Sequence, residues 1–270
     1  MTERAGFGFE EHQVVTEDGY YLTMFRVMNS DVQAGKKAPV VFMQHGLMDT
    51  ADTWVMNEPE KAPAFTMARA GYDVWLGNNR GNQYSNKNIK LDPVKDEEAF
   101  HDYSFQDLGQ WDLPAQLNAV LAKTGVEKVT YFGHSQGTSQ MFYALAKNED
   151  YIFEKVNLFV ACAPVARMQG VDTVTHLAAK ALPVHEAALG LAGYHHVFDK
   201  KFRDDFNEFG ISDVGSFLEF NDLLMLLIAP VLSGKYTEPV RIQAIRNRFP
   251  NEASTKEIFH FAQLMNSGKF

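Results

Sequence analysis

Along residues 1–164 the apolar positions follow two spacings in turn, and their alternation predicts strands exchanging with helices in a layered α/β domain. Residues 12–15 and 20–27 alternate apolar and polar positions around Glu17-Asp18-Gly19, the pattern of a β-hairpin. Residues 39–44 carry an unbroken apolar run up to Gln44, and residues 72–77 and 156–163 are mostly apolar around Asp73 and Asn157, which predicts three buried strands. Helical spacing appears in residues 63–70, through Phe65, Met67 and Ala68, and Gly71 stops that helix. It appears again in residues 105–123, with apolar positions 108, 111, 117, 120 and 121, Pro114 set inside and Gly125 at the end.

After residue 164 the alternation gives way to a stretch rich in Leu, Phe and Met with helical character, residues 165–240, including 174–182 and 217–228. An apolar helical insertion of this kind suits a lid over an apolar pocket. The same pattern also suits helices that simply pack on the core. Three segments follow: a core over 1–164, a helical cap over 165–240, and a return to the core over 241–270.

The most informative stretch joins residues 126–132, apolar and β-prone, to Gly133-His134-Ser135-Gln136-Gly137, with the buried helix of residues 139–147 behind it. Strand, Gly-x-Ser-x-Gly and helix in that order define a nucleophile elbow. The chain must turn within about one residue, which strains Ser135 and exposes its Oγ. Gly133 and Gly137 lack the Cβ atoms that would keep the new helix away from the neighbouring strands. The competing reading is an ordinary Gly-flanked turn.

A second site follows the buried strand of residues 39–44, where His45-Gly46-Leu47 begins a loop. Acyl transfer needs two backbone N–H donors aimed where the oxyanion forms. Leu47 in this loop and Gln136 after the nucleophile supply that pair, with His45, Gly46, Gly133, His134 and Gly137 as their support. Arg80, in the polar loop Asn78-Asn79-Arg80-Gly81-Asn82, reads as a structural hydrogen-bonding hub.

Composition narrows the field. A chain of 270 residues, 46% hydrophobic, buries one large core. A formal charge of −9 without a Lys/Arg cluster leaves no footprint for phosphate backbones, so nucleic acid is excluded as a partner. The single cysteine, Cys162, sits in an apolar run and is expected in the core. His195-His196 is expected to bind no metal, because neighbours on a helix face apart and no carboxylate stands at ligand spacing. The apolar run 223–232 is too short to span a membrane and contains Pro230. With no signal-peptide pattern and no Asn-x-Ser/Thr acceptor, a complete chain is expected in the cytoplasm.

With these motifs in hand, the chain resembles the acid lipase branch of the α/β-hydrolases, the family of lysosomal acid lipase and gastric lipase. The resemblance runs from Val14-Val15-Thr16-Glu17-Asp18-Gly19-Tyr20 through Gln44-His45-Gly46-Leu47-Met48-Asp49 and Thr53-Trp54-Val55. It continues through Gly71 to Asn82, Tyr103-Ser104-Phe105, Asp112-Leu113-Pro114-Ala115 and Gly133 to Thr138. It implies a mostly parallel, doubly wound sheet with a helical cap, Ser135 as nucleophile, Leu47 and Gln136 as oxyanion donors, and no metal or cofactor. It also implies a neutral lipid ester substrate, transient contact of the cap with a lipid surface, and a lysosomal or secreted location.

One departure accompanies it. In that family the triad runs Ser, Asp, His, and the acid and base follow a block like Ser267-Gly268-Lys269-Phe270, together with the last two strands. Here the C-terminal strands, the triad Asp and the triad His are expected to be missing. His260 matches a helix of the family and not its catalytic loop. Two classes therefore remain open: an ester hydrolase, of which this is the N-terminal part, and a lipid-binding or partner-binding homologue without turnover. The isolated chain is expected to be poorly soluble, since a sheet without its last strands exposes an edge.

Overall fold

The computed structural model describes residues 1–168 and 250–270, with positions 180, 193, 195–197 and 248 between them. Most of the expected cap, including residues 174–182 and 217–228, lies outside the described residues.

A six-stranded sheet organises the chain, in the order β1-β2-β4-β3-β5-β6. Strands β1 (Gly8–Val15) and β2 (Tyr21–Met28) form the expected hairpin, in register from Gly8 opposite Met28 to Val15 opposite Tyr21. Gly19 makes its turn at φ 99°, open to glycine at little cost. β2 then pairs antiparallel with β4 (Asp73–Gly77). From there the sheet is parallel: β3 (Val40–Gln44) lies between β4 and β5 (Val129–His134), and β6 (Val156–Cys162) pairs with β5.

The continuous apolar runs have a direct cause. Val41, Met43, Val74 and Leu76 point to one face, where they pack against Ala64, Phe65 and Ala68 of helix α2 (Pro63–Arg69). Val40, Phe42, Trp75 and Tyr131 point to the other, against Leu113, Leu117 and Val120 of helix α5 (Leu113–Thr124) and Met141 and Ala144 of helix α6 (Gln136–Lys147). Both faces are covered, so the middles of β3 and β4 are apolar and their polar residues, Gln44 and Asp73, stand at the strand ends. Shorter helices α1 (Ser30–Gln33), α3 (Glu97–Phe100), α4 (Phe105–Asp107) and α7 (Glu149–Lys155) fill the connections. Helix α8 (Thr255–Ser267) follows a two-stranded ribbon of β7 (His196–Val197) and β8 (Ala253–Ser254).

Four expectations are corrected. Residues 105–123 are not one α-helix: α4 passes into a π-helical turn over Leu108–Asp112 before α5 begins with Pro114 in its first turn. Pro114 has no N–H and its ring crowds the carbonyl four residues earlier, so the preceding turn widens instead of continuing as α. Strand β6 is not buried: Asn157 is exposed and Leu158 is 55% exposed. It pairs only with β5, and no described strand joins its outer side. For the same reason Cys162, at its end, is exposed and not in the core. Finally, His196 lies in a strand and not on a helix, its ring stacked on His101 at 4.2 Å.

Candidate active site

The parallel strands β3 and β5 end side by side, with Gln44 opposite Gly133, and this register brings the two sequence-predicted loops together. Ser135 stands between β5 and α6 at φ 51°, ψ −118°, a left-handed conformation for a residue with a Cβ. Its N–H donates to the Cys162 carbonyl at 3.0 Å, and its carbonyl accepts from the Thr138 N–H at 2.8 Å and the Thr138 hydroxyl at 2.6 Å. The turn is therefore held from β6 on one side and from α6 on the other.

The glycines permit the approach. A Cβ on Gly137 would stand 2.7 Å from the Gln44 carbonyl oxygen and 2.8 Å from that of His45, and one on Gly133 would stand 2.7 Å from the Gly137 carbonyl oxygen. These obstacles are backbone and cannot turn aside. Gly46 faces Ser135 directly, its missing Cβ 3.1 Å from the Ser135 Cβ and 3.3 Å from His134 Nδ1. Gln136, the first residue of α6, belongs to the helix turn whose N–H groups have no intrahelical acceptor. Neither its N–H nor that of Leu47 donates to a backbone carbonyl among the described residues. The Leu47 side chain packs with Phe105, Phe261 and Leu264, so α4 and α8 hold this loop from outside.

His45 is fully buried, and burial drives its pKa down to about 4. Its Nε2 accepts from the Asn79 N–H at 3.1 Å, which places the proton on Nδ1, 2.7 Å from the Gly46 carbonyl oxygen. A neutral imidazole thus ties the loop to itself and to the strand-end loop after β4. His134, half-buried with its ring edge-on to Trp54, also has a pKa lowered by burial.

Several residues of the site were not legible as such. Asn79 receives the Gln44 amide at 3.0 Å and donates to Gln140 of α6 at 3.0 Å, so one side chain links β3, β4 and α6. Arg80 is the hydrogen-bonding hub its loop predicted: it is 4% exposed and binds Asp112 through Nε at 2.8 Å and Asp18 through both terminal nitrogens at 2.6 and 2.9 Å. It also stacks over the Tyr20 ring at 3.9 Å. Glu257, buried in the first turn of α8, accepts from the Gln136 side-chain amide at 2.8 Å. The pattern Ser254-x-x-Glu257 is readable in sequence as a capping box, but its reach to the elbow is not.

No hydrogen bond joins any described histidine to the Ser135 hydroxyl. His260 stacks on Phe105 at 4.5 Å, its pKa lowered by burial despite Asp107 nearby. Among the described residues there is no cluster of three or more His, Cys, Asp or Glu side chains placed to hold a metal. No described helix is long and apolar enough to cross a membrane.

Comparison with known proteins agrees with this architecture. Residues 39–264 match the family model for the alpha/beta hydrolase fold, and residues 1–58 match that for a partial alpha/beta-hydrolase lipase region. Gastric triacylglycerol lipase of Rattus norvegicus is 38% identical over 274 residues, covering 98% of this chain and 66% of that protein. The enzyme of the same name from Homo sapiens is 34% identical over 276 residues, with 98% and 66% covered. Lipase lipl-3 of Caenorhabditis elegans is 32% identical over 291 residues, with 99% and 67% covered. The chain belongs to the α/β-hydrolases, in their acid lipase branch. It spans about 66% of the length of the gastric lipases it matches.

Proposed function

We propose that this chain is the nucleophile-bearing part of a carboxylic ester hydrolase, a lipase acting on neutral lipid esters such as triacylglycerols or steryl esters. The observation that carries the reading is the strained Ser135 between β5 and α6, with the N–H groups of Leu47 and Gln136 donating to no backbone carbonyl among the described residues. Strain of this size costs on the order of 1–3 kcal/mol and persists where the surroundings enforce it. Ser135 Oγ, giving its proton to the general base, attacks the ester carbonyl and the two N–H groups receive the oxyanion. Its collapse breaks the ester C–O bond and the alcohol leaves with that proton. Water then adds to the acyl-serine and releases the acid, restoring the serine hydroxyl. The general base and the acid that orients it are not among the described residues. In the resembled family they follow the Ser267-Gly268-Lys269-Phe270 block.

Residues 165–240 are the cap in this reading, covering the acyl chain and meeting a lipid surface transiently. Relatives named gastric lipases support a secreted or lysosomal setting. The alternative is a lipid-binding homologue without turnover, favoured by the fact that no base among the described residues is hydrogen-bonded to Ser135. Hydrolysis of a triacylglycerol emulsion by the full-length protein, abolished in Ser135→Ala, supports the lipase reading. Tight uptake of a long-chain ester with no turnover supports the alternative.

A further inference from the structure

Glu257 occupies an unusual position for a helix-capping carboxylate. Capping-box side chains commonly lie at the surface, yet this one is 4% exposed. One oxygen accepts the Ser254 N–H at 3.2 Å and completes the box at the start of α8. The other reaches the Gln136 side chain at 2.8 Å, 121 residues away in sequence. Gln136 is itself 2% exposed, and its amide oxygen is buried without a partner. The hydrogen bond to Glu257 therefore fixes the direction of that side chain, in the residue directly after Ser135.

We propose that Glu257 is a positioning residue for the elbow, holding Gln136 so that its backbone N–H stays aimed at the oxyanion. The inference rests on the reading of Ser135 as nucleophile. Its charge state belongs to the role. Burial pushes the Glu257 carboxyl up to about 8, the hydrogen bonds from Gln136 and Ser254 oppose the rise, Asp112 adds to it and Arg80 opposes it. Tyr103 faces the same carboxyl, and its phenol is raised well above its ordinary value by burial first and Glu257 second. On α8 itself, Lys256 is turned to Asp102 at 2.7 Å and His260 to Phe105. Below about pH 8 the carboxyl is neutral, so no fixed negative charge opposes the oxyanion; above it, one does.

The test uses a long-chain alkyl boronic acid, which forms a reversible tetrahedral adduct on a nucleophilic serine, with the full-length protein and its variants. At pH 6, Glu257→Gln, which keeps an acceptor and stays neutral, binds within about two-fold of wild type, while Glu257→Ala binds about 10-fold more weakly. Between pH 6 and 9 the wild type loses about 10-fold relative to Glu257→Gln, a ratio that cancels the titration of the boronic acid itself. Ser254→Ala, which breaks the box without touching Gln136, lowers Tm but leaves adduct affinity within two-fold. A flat Glu257→Gln to wild-type ratio across this range overturns the inference, as does an equal loss in Ser254→Ala and Glu257→Ala. Failure of the wild type to form any adduct overturns the nucleophile reading too, which separates the two.

Discussion

Gly46 and Ser135 are in contact across the ends of β3 and β5, close enough that a Cβ on Gly46 would stand 3.1 Å from that of Ser135. The loop after β3 and the turn after β5 are thus one surface, set by strand register and by the absence of side chains at three glycines.

Substitutions at two of these glycines separate placement from stability. Gly137→Ala pushes a methyl group into backbone carbonyls at 2.7 and 2.8 Å and costs about 2 kcal/mol or more of unfolding free energy. Gly46→Ala meets a looser contact, so denaturant unfolding shifts by less than about 1 kcal/mol while turnover falls at least about 10-fold, because the oxyanion donors move apart. Paired denaturation and ester-hydrolysis measurements check both.

The Arg80 network is expected to be structural. Asp112→Ala leaves a buried guanidinium without its fully buried partner and is expected to cost about 3–5 kcal/mol, measured by urea unfolding. Asp18→Ala, at the half-buried end of the same network, is expected to cost less.

Two buried groups are expected to act on stability with opposite signs across nearly the same window, from about pH 4 to about pH 7. Burial holds Asp49 up at about 7, so between about pH 4 and 7 the unfolded chain gives up a proton that the folded one keeps, and stability falls as pH rises. His45, depressed to about 4, has the opposite sign: its contribution is present above about pH 6.5 and is lost as pH falls toward 4. Asp49→Asn is expected to match wild type near pH 4 and exceed it at pH 8 by on the order of 3 kcal/mol. Melting curves at the two pH values decide it.

Strand β6 presents Leu158 outward beside an edge that no described strand pairs. The 270-residue chain is expected to associate through it, and Leu158→Lys is expected to raise the concentration at which light scattering appears several-fold.

The sequence made the sheet legible because burial on both faces leaves unbroken apolar runs at β3 and β4, and because turn chemistry marks Gly19, Gly71 and Gly125. It misled at β6, which is mostly apolar apart from Asn157 although no described strand joins its outer side. Apolar composition records that a strand suits burial, and not which neighbours provide it. At the site, the two stretches that carry Leu47 and Ser135-Gln136 were legible as local strand-to-loop motifs, and the register of β3 and β5 brings them together. Asn79, Gln140 and Glu257 were not, because their roles consist of hydrogen bonds between residues 61 and 121 positions apart. Polar residues of this kind look like solvated surface until the fold buries them.

The central claim is that Ser135 is a nucleophile served by the Leu47 and Gln136 N–H groups. Treatment of the full-length protein with a long-chain alkyl phosphonate ester, followed by peptide mapping by mass spectrometry, tests it most directly. The account predicts one adduct, on the peptide containing Ser135, formed at least about 10³-fold more slowly by the 270-residue chain alone, which lacks a described base. A stoichiometric adduct on another residue, or none in the full-length protein, would contradict it.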